Sequence, residues 1–441
     1  MIIDKVFDKL NKLDFNNLIF LTPHFYPIGN YSETLMFGLM KAKFSNKKIF
    51  LLSPYNSKFL FGKKICNEEI SQLESKYIYD QNLIVRHVMK LLVTIMLLPS
   101  RSFDRVLNMF GKLLNEEKVV PHVGFNDLWC TENEMKTGFS WDVVDKYQWH
   151  NKIEAGYDLD INYHKNIIAR SLLSEIGLDF STWYVCVHVR ESGFRNDPGR
   201  REYRNSSILN YISAIKVITD AGGIVVRMGD STMTPLPVLP NVIDYPFSSK
   251  KSPLLDLYLI KNCRFYLGTD SGIMDTAKMF FKDILITNMV HWMFVYPLRK
   301  KERGIYKHVY SKAHARYLTF HEVLGADWKL QNVFGYIDDN YVLTENTSKD
   351  IEMAVSEYLH CHDSNDFSLS QNQLDVNMRR ISQAREIYNK FNLRDDSDKL
   401  RETIIKYRLA SRLSIHTQGS MSDSYLQKYL HQPYSVDKTI I

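Results

Sequence analysis

Short apolar runs alternate with helical stretches along most of the chain. Leu18-Ile19-Phe20-Leu21 is uncharged and predicts a buried strand, ended by Thr22-Pro23. Pro27-Ile28-Gly29-Asn30 reads as a turn ahead of a helix from Ser32 to Lys43, and Lys48-Ile49-Phe50-Leu51-Leu52 predicts a second strand. Strand, glycine turn, helix and strand open a βαβ unit with a parallel sheet. Residues 65–120 carry a helical pattern, whereas 121–165 are charged, Trp-containing and without clear period.

The middle of the chain is patterned more clearly. Trp183-Tyr184-Val185-Cys186-Val187-His188-Val189 is apolar and β-branched, as a central parallel strand requires. A helix is predicted from Ile208 to Asp220, stopped by Gly222-Gly223. Strands follow at 224–228 and 241–244, then a helix to Asn262 with Ser252 as cap and Pro253 at its first position. Arg264 to Gly268 predicts a strand, Gly272 to Phe281 a helix, and Ile284 to Thr287 a strand. This alternation predicts a doubly wound α/β domain. Beyond Asp363 the chain turns polar and helical, at 374–391 and 398–413. Three parts are therefore expected: 1–165, 166–362 and a helical extension, 363–441.

Composition narrows the class. The 441 residues are 45% hydrophobic and 24% charged, the balance of a folded chain too long for one core. Five scattered cysteines form no CxxC pair, so neither a disulfide framework nor a zinc site is indicated. The net charge of +6 suits phosphorylated ligands or an anionic membrane surface. It does not argue for nucleic acid, because the arginines concentrate in one loop. The first residues mix acidic and basic side chains with no apolar run, and no stretch reaches the roughly 18 apolar residues of a membrane span. A cytoplasmic protein is expected. Val88 to Leu98, flanked by Arg86, Lys90, Arg101 and Arg105, reads first as a buried helix; a peripheral inner-membrane contact through 86–110 is the alternative.

Open α/β sheets bind ligands at the carboxyl ends of their strands. One such end is His188-Val189-Arg190-Glu191-Ser192-Gly193, where alternation places His188 and Arg190 on one side. Five arginines lie between 190 and 204: Arg190, Arg195, Arg200, Arg201 and Arg204. Guanidinium donors match phosphate oxygens and keep their charge when desolvated, so ligand binding is favoured over a solvated loop paired with Glu191, Asp197 and Glu202. A second end, Gly268-Thr269-Asp270-Ser271-Gly272, lets the amides of a helix start face a bound anion, or else supplies only an N-cap. Arg227 adds a third cation if its strand is a neighbour. The chain has no GxxxxGK[ST], no GxGxxG after its first strand, no HExxH and no GxSxG. Asp158 and Asp160 read as surface, and no metal cluster is evident.

These motifs carry a resemblance. The run from Val187 to Gly193, Tyr203-Arg204-Asn205, Tyr211 to Ile215, Val226 to Asp230, and Val242 to Tyr245 are part of it. Asp256 to Leu259, Cys263 to Gly272, and Tyr317 to Glu322 complete it. In this order they resemble a bacterial glycosyltransferase family encoded with enzymes of surface-polysaccharide synthesis. Ile28-Gly29-Asn30-Tyr31-Ser32-Glu33 resembles that family's N-terminal glycine turn, and the match covers most of 15–360. His188-x-Arg190 is also similar to the strand end of GDP-fucose-dependent fucosyltransferases, in which the arginine holds the donor diphosphate.

The resemblance implies a GT-B fold, two Rossmann-like domains facing a cleft, and a metal-independent, inverting transfer. The donor would be a nucleotide sugar and the acceptor a glycan or lipid-linked glycan of lipopolysaccharide or capsule. No cofactor beyond that donor is expected. The resemblance carries His188 and Arg190 over to the donor; by their places at the strand ends Arg195, Arg204, Arg227, Asp270, Ser271 and Gly272 would join them in binding it, and Arg190 would stabilise the departing charge. The acceptor would enter near Gly29-Asn30, with Glu33, His24 or Glu191 as candidate base. A sugar-nucleotide epimerase or hydrolase on the same scaffold, and a non-catalytic nucleotide-binding adaptor, are the alternatives.

Overall fold

The computed structural model describes residues 17–21, 23, 25–53, 65–79, 86–88, 90–91, 119–120, 130–131, 153–179, 181–193, 202–290, 296–325, 340–390 and 417–435. The first unit is the expected βαβ. Strands β1 (Leu18–Leu21) and β2 (Lys48–Leu51) pair parallel, Leu18 against Lys48, with α1 (Ile28–Ser45) between them. α1 starts four residues earlier than the sequence suggested, because the Pro27 carbonyl accepts from Tyr31 N at 3.1 Å and so makes the glycine turn the first helical turn. Residues 65–79 depart from the helical expectation. Glu68–Gln72 is a 3₁₀ turn, and beyond it a hydrogen-bonded turn, Ile78 N to Ser75 O at 2.9 Å, separates two isolated bridges, Glu74 to Asp160 and Ile78 to Ile49. Asn67 Oδ1 accepts from Glu69 N and Ser75 Oγ from Tyr77 N; such local side-chain bonds compete with helix formation. Two short strands, β3 (Val119–Val120) and β4 (Cys130–Thr131), pair antiparallel.

Helix α2 (Tyr163–Glu175) leads to the main sheet. In chain order this holds β5 (Tyr184–His188), α3 (Ile212–Asp220), β6 (Ile224–Arg227), β7 (Val242–Asp244), α4 (Pro253–Asn262), β8 (Tyr266–Gly268), α5 (Gly272–Met279), β9 (Ile284–Met289) and β10 (Arg303–Tyr306). Ser252 Oγ accepts from Leu255 N at 3.2 Å and caps α4 with Pro253 at its first position, as the sequence predicted. Gly222 ends the α3 segment at φ +83°, a conformation that needs no Cβ. β5 and β9 are buried along their whole length, which is why both open on apolar runs, Tyr184 to Val187 and Ile284 to Ile286.

A small antiparallel sheet follows, β11 (His308–Ser311) between β12 (Arg316–Tyr317) and β13 (Tyr341–Thr344), with α6 (Phe320–Gly325). Helix α7 (Ser348–Ser364) begins with a Thr347/Asp350 capping box. The tail contributes α8 (Gln371–Lys390), β14 (Ser420–Met421) and α9 (Asp423–Tyr429). The strand was not predicted: β14 pairs parallel with β10, Arg303 against Ser420, and makes the tail the edge of the main sheet. Gln373 Nε2 donates to Met421 O at 2.7 Å and Asn377 Nδ2 to Gly419 O at 2.8 Å, so α8 holds this strand in place. The helix expected at 398–413 lies outside the described residues.

The main sheet has seven parallel strands in the order β14-β10-β9-β8-β5-β6-β7. From β5 the chain winds outward to β6 and β7, then returns to the other side of β5 for β8, β9 and β10. That is the doubly wound order, and its reversal lies between β5 and β8. The first unit joins the second through a packed helix pair. Ser32 Oγ lies 2.9 Å from Thr276 Oγ1, and a Cβ on Gly29 would lie 2.7 Å from Gly272 Cα. Matching residues meet one turn apart, so α1 and α5 run in the same direction. One hydrophobic core extends through both units.

Candidate functional site

The winding reversal opens a crevice outside the carboxyl ends of neighbouring strands, and both segments singled out in the sequence stand on it. β5 and β8 pair with His188 opposite Gly268. A Cβ on Gly268 would collide with the His188 carbonyl, so glycine is what admits this register. Thr269 N donates to His188 O at 3.1 Å, and Arg190 N donates to Thr269 Oγ1 at 2.9 Å. Ser271 Oγ lies 3.1 Å from His188 Nδ1 and 3.3 Å from the Tyr266 hydroxyl. The two strand ends are thus one hydrogen-bonded structure.

Burial, with Arg227 and Arg190 nearby, pushes the His188 imidazole down to about 3, so it is neutral at physiological pH. It can serve a ligand by hydrogen bonding but not by charge. Ser271 occupies the N-cap position of α5 yet makes no side-chain capping bond, since its hydroxyl is turned to His188 and Tyr266. Pro27 likewise caps α1 with no side-chain bond. Two helix starts therefore lie side by side at this edge, and their dipoles give it positive potential. On one flank, the start of α5 is covered by the backbone of Gly29.

The arginines divide into distinct roles. Arg190 is half-buried and donates through Nη1 to Asn205 Oδ1. Arg204 Nη2 reaches the Asp270 carboxylate at 3.0 Å and its carbonyl at 2.9 Å, so these two candidate ligands hold each other. Arg227 is fully buried between Glu191 (3.0 Å) and Asp244 (3.1 Å), and also donates to Thr234 O at 2.6 Å. Glu191 Oε2 accepts from the Thr234 amide at 2.8 Å and from its hydroxyl at 2.9 Å. The charge of Arg227 is therefore met within the fold, by Glu191 and Asp244 together. Glu33 is buried on α1, one turn beyond Gly29 on the same face. His24, Arg195, Arg200 and Arg201 lie outside the described residues, as does most of 86–110.

Sequence reasoning missed Lys307, which follows β10 directly and is 3% exposed. Its Nζ donates to Asn205 O at 2.7 Å. The signal was a lone lysine inside Gly304-Ile305-Tyr306-Lys307-His308-Val309, a strand-like run in which a charge needs a reason. Glu345 was also missed; its Oε2 accepts from Ser207 N at 2.9 Å and Asn210 Nδ2 at 3.0 Å. Among the described residues, no group of three or more His, Cys, Asp or Glu side chains is placed to hold a metal ion. Nor is any helix among them long and apolar enough to cross a membrane.

No protein-family model matches the chain, and no curated protein does. Among solved structures it is similar to the glycosyl transferase family 9 protein from Veillonella parvula DSM 2008, at 12% identity over 61% of this chain and 80% of that one. The TM-score is 0.35, and at that level the likeness adds nothing to what the geometry supports.

Proposed function

We propose that the chain is a nucleotide-sugar-dependent glycosyltransferase with a GT-B-like arrangement, binding its donor's diphosphate at the β5/β8 crevice. The observation that carries this reading is the placement of His188, Arg190 and Ser271 together where the winding of the sheet reverses. The motif resemblance described above points to the same class. As the glycosidic bond breaks, negative charge grows on the leaving nucleoside diphosphate. Arg190 and the adjoining helix starts supply positive potential there before the charge arrives, which is the kind of fixed donor array that lowers such a barrier. These groups would do the work that a divalent cation does in other transferases, and transfer should persist in EDTA. A surface glycan or lipid-linked glycan is the acceptor that the resemblance favours. Glu191 is committed to Arg227 and Thr234, so it is not given the role of base.

The test is a thermal-shift screen of the full chain against UDP-, GDP-, CMP-, CDP-, ADP- and dTDP-sugars, followed by assay of the best donor with and without glycan acceptors. Stabilisation by one donor and acceptor-dependent nucleotide release is expected. Donor turnover without acceptor would indicate an epimerase or hydrolase, and binding without turnover an adaptor. Either outcome, or no stabilisation at all, overturns the transferase reading.

A further inference from the structure

The segment 202–207, between β5 and α3, is pinned over the carboxyl edge of the sheet. Arg204 is held by Asp270, Ser206 N donates to Arg190 O at 3.0 Å, and Ser207 N donates to Glu345 Oε2 at 2.9 Å. Lys307 adds the fourth tie through Asn205 O. Asn205 consequently bridges two cations, its side-chain oxygen accepting from Arg190 and its carbonyl from Lys307.

A buried ammonium that meets only a carbonyl is unfavourable unless something of opposite charge joins it, and Lys307 is such a group. Among the described residues, no carboxylate is within ion-pair reach of Lys307 Nζ. Glu345 favours its proton from further off, but spends one oxygen on Ser207 and Asn210. An ammonium has three donors, and the described contacts use one. In the segment that it ties down, two buried polar atoms have no hydrogen-bond partner: the hydroxyl of Ser206 and Nε of Arg204. Buried polar atoms are normally satisfied, and each exception calls for a missing partner. An anion with several acceptor oxygens meets all of these requirements at once.

We propose that Lys307 and Arg190 form a two-cation seat for a phosphate group, closed over by residues 202–207. This deepens the proposed function and rests on it for the ligand's class: the seat takes the terminal phosphate of the departing nucleoside diphosphate. Burial and the charge of Arg190 push the Lys307 ammonium down to about 8 against the pull of Glu345; Arg204 and Asp270 flank the same segment as a pair. A dianion arriving beside Lys307 restores its proton, so binding near pH 8 takes one up.

The experiment is calorimetric titration of the full chain with inorganic pyrophosphate at pH 8, in buffers of different ionisation heat, for wild type, Lys307→Met and Lys307→Arg. Wild type should take up about half a proton more than either variant. Affinity should fall tenfold or more in Lys307→Met and recover largely in Lys307→Arg. Without anion, Lys307→Met should melt no lower than wild type, because it removes a buried charge beside Arg190. Equal affinity and proton uptake in wild type and Lys307→Met would overturn the seat, as would failure of wild type to bind. Should Lys307→Met not fold, Lys307→Arg decides alone, since undiminished proton uptake in it overturns the proposal. A chain that passes this test but transfers no sugar keeps the seat and loses the transferase reading. One that transfers sugar at an undiminished rate with Lys307→Met does the reverse.

Discussion

His188 Nδ1 and Ser271 Oγ lie 3.1 Å apart, joining the end of β5 to the start of α5 across the point where the sheet reverses its winding. Because the Ser271 hydroxyl makes no capping bond, its removal acts on the crevice and not on the helix start. Ser271→Ala leaves a buried imidazole nitrogen unpaired and should cost about 1–3 kcal/mol of stability. A double-mutant cycle with His188→Leu in urea checks this. The two losses should be non-additive by on the order of 1 kcal/mol, and simple additivity would show that the contact contributes nothing.

Acid stability follows from the same imidazole. In the unfolded chain His188 binds a proton below its ordinary 6.5, whereas in the fold it resists protonation until about 3. Between those values the unfolded state holds more protons, so stability is lost as pH falls through the window. The loss from this residue should be on the order of 3–5 kcal/mol. Asp350, held low by His308, Thr347 and Tyr429 against its burial, adds a separate acid loss. His188→Gln should flatten the pH 6.5 to 3 slope of unfolding free energy while leaving the Asp350 part. An unchanged slope would show that His188 is solvated or differently paired.

The arginines of the rim should separate by phenotype. Arg227→Met strands Glu191 and Asp244 without their cation, and loss of one partner from a buried pair costs about 3–5 kcal/mol. Arg190→Ala, at a half-buried position, should cost less stability than the fully buried Arg227 but abolish donor-induced stabilisation. Denaturation and thermal shift on the two variants check the division. A well-folded Arg227→Met that no longer binds donor would return Arg227 to the ligand.

Much of the crevice was legible because strand ends announce themselves: Trp183 to Val187 is an apolar run that gives way to His188, Arg190 and Glu191. The doubly wound sheet was legible for the same reason. What the sequence concealed is which cations face ligand and which face carboxylates. Arg227 and Glu191 lie 36 positions apart and meet only because β5 and β6 are neighbours, Val187 opposite Arg227. Lys307 was hidden for a related reason. It reaches the site through Asn205, 102 positions away, and no local pattern encodes that contact. The edge strand β14 escaped notice because two residues, Ser420 and Met421, are too short a run to show alternation. The stretch after Gln72 has a helical period but is not a helix, because its polar residues, Ser75 among them, bond the backbone locally into a turn, which a period count does not register.

The seam between α1 and α5 makes a prediction whose sign is informative. Gly29 has no unusual backbone angle, so in an open helix start its replacement by alanine would be neutral or stabilising by up to about 1 kcal/mol. Here an added Cβ would lie 2.6 Å from Asp275 Oδ2 and 2.7 Å from Gly272 Cα. The second neighbour is backbone and cannot swing aside, so the helices must separate. Overpacking of this kind costs about 1–3 kcal/mol. Separation would also draw the two helix starts apart, weakening the potential that both direct at the crevice. Gly29→Ala should therefore lower both the urea midpoint and the pyrophosphate affinity, whereas Gly38→Ala, placed against Leu21 and Ile49 within the first unit, should lower the midpoint alone. Stabilisation by Gly29→Ala would mean that the two units stand apart in solution and that the packed seam is not their resting contact.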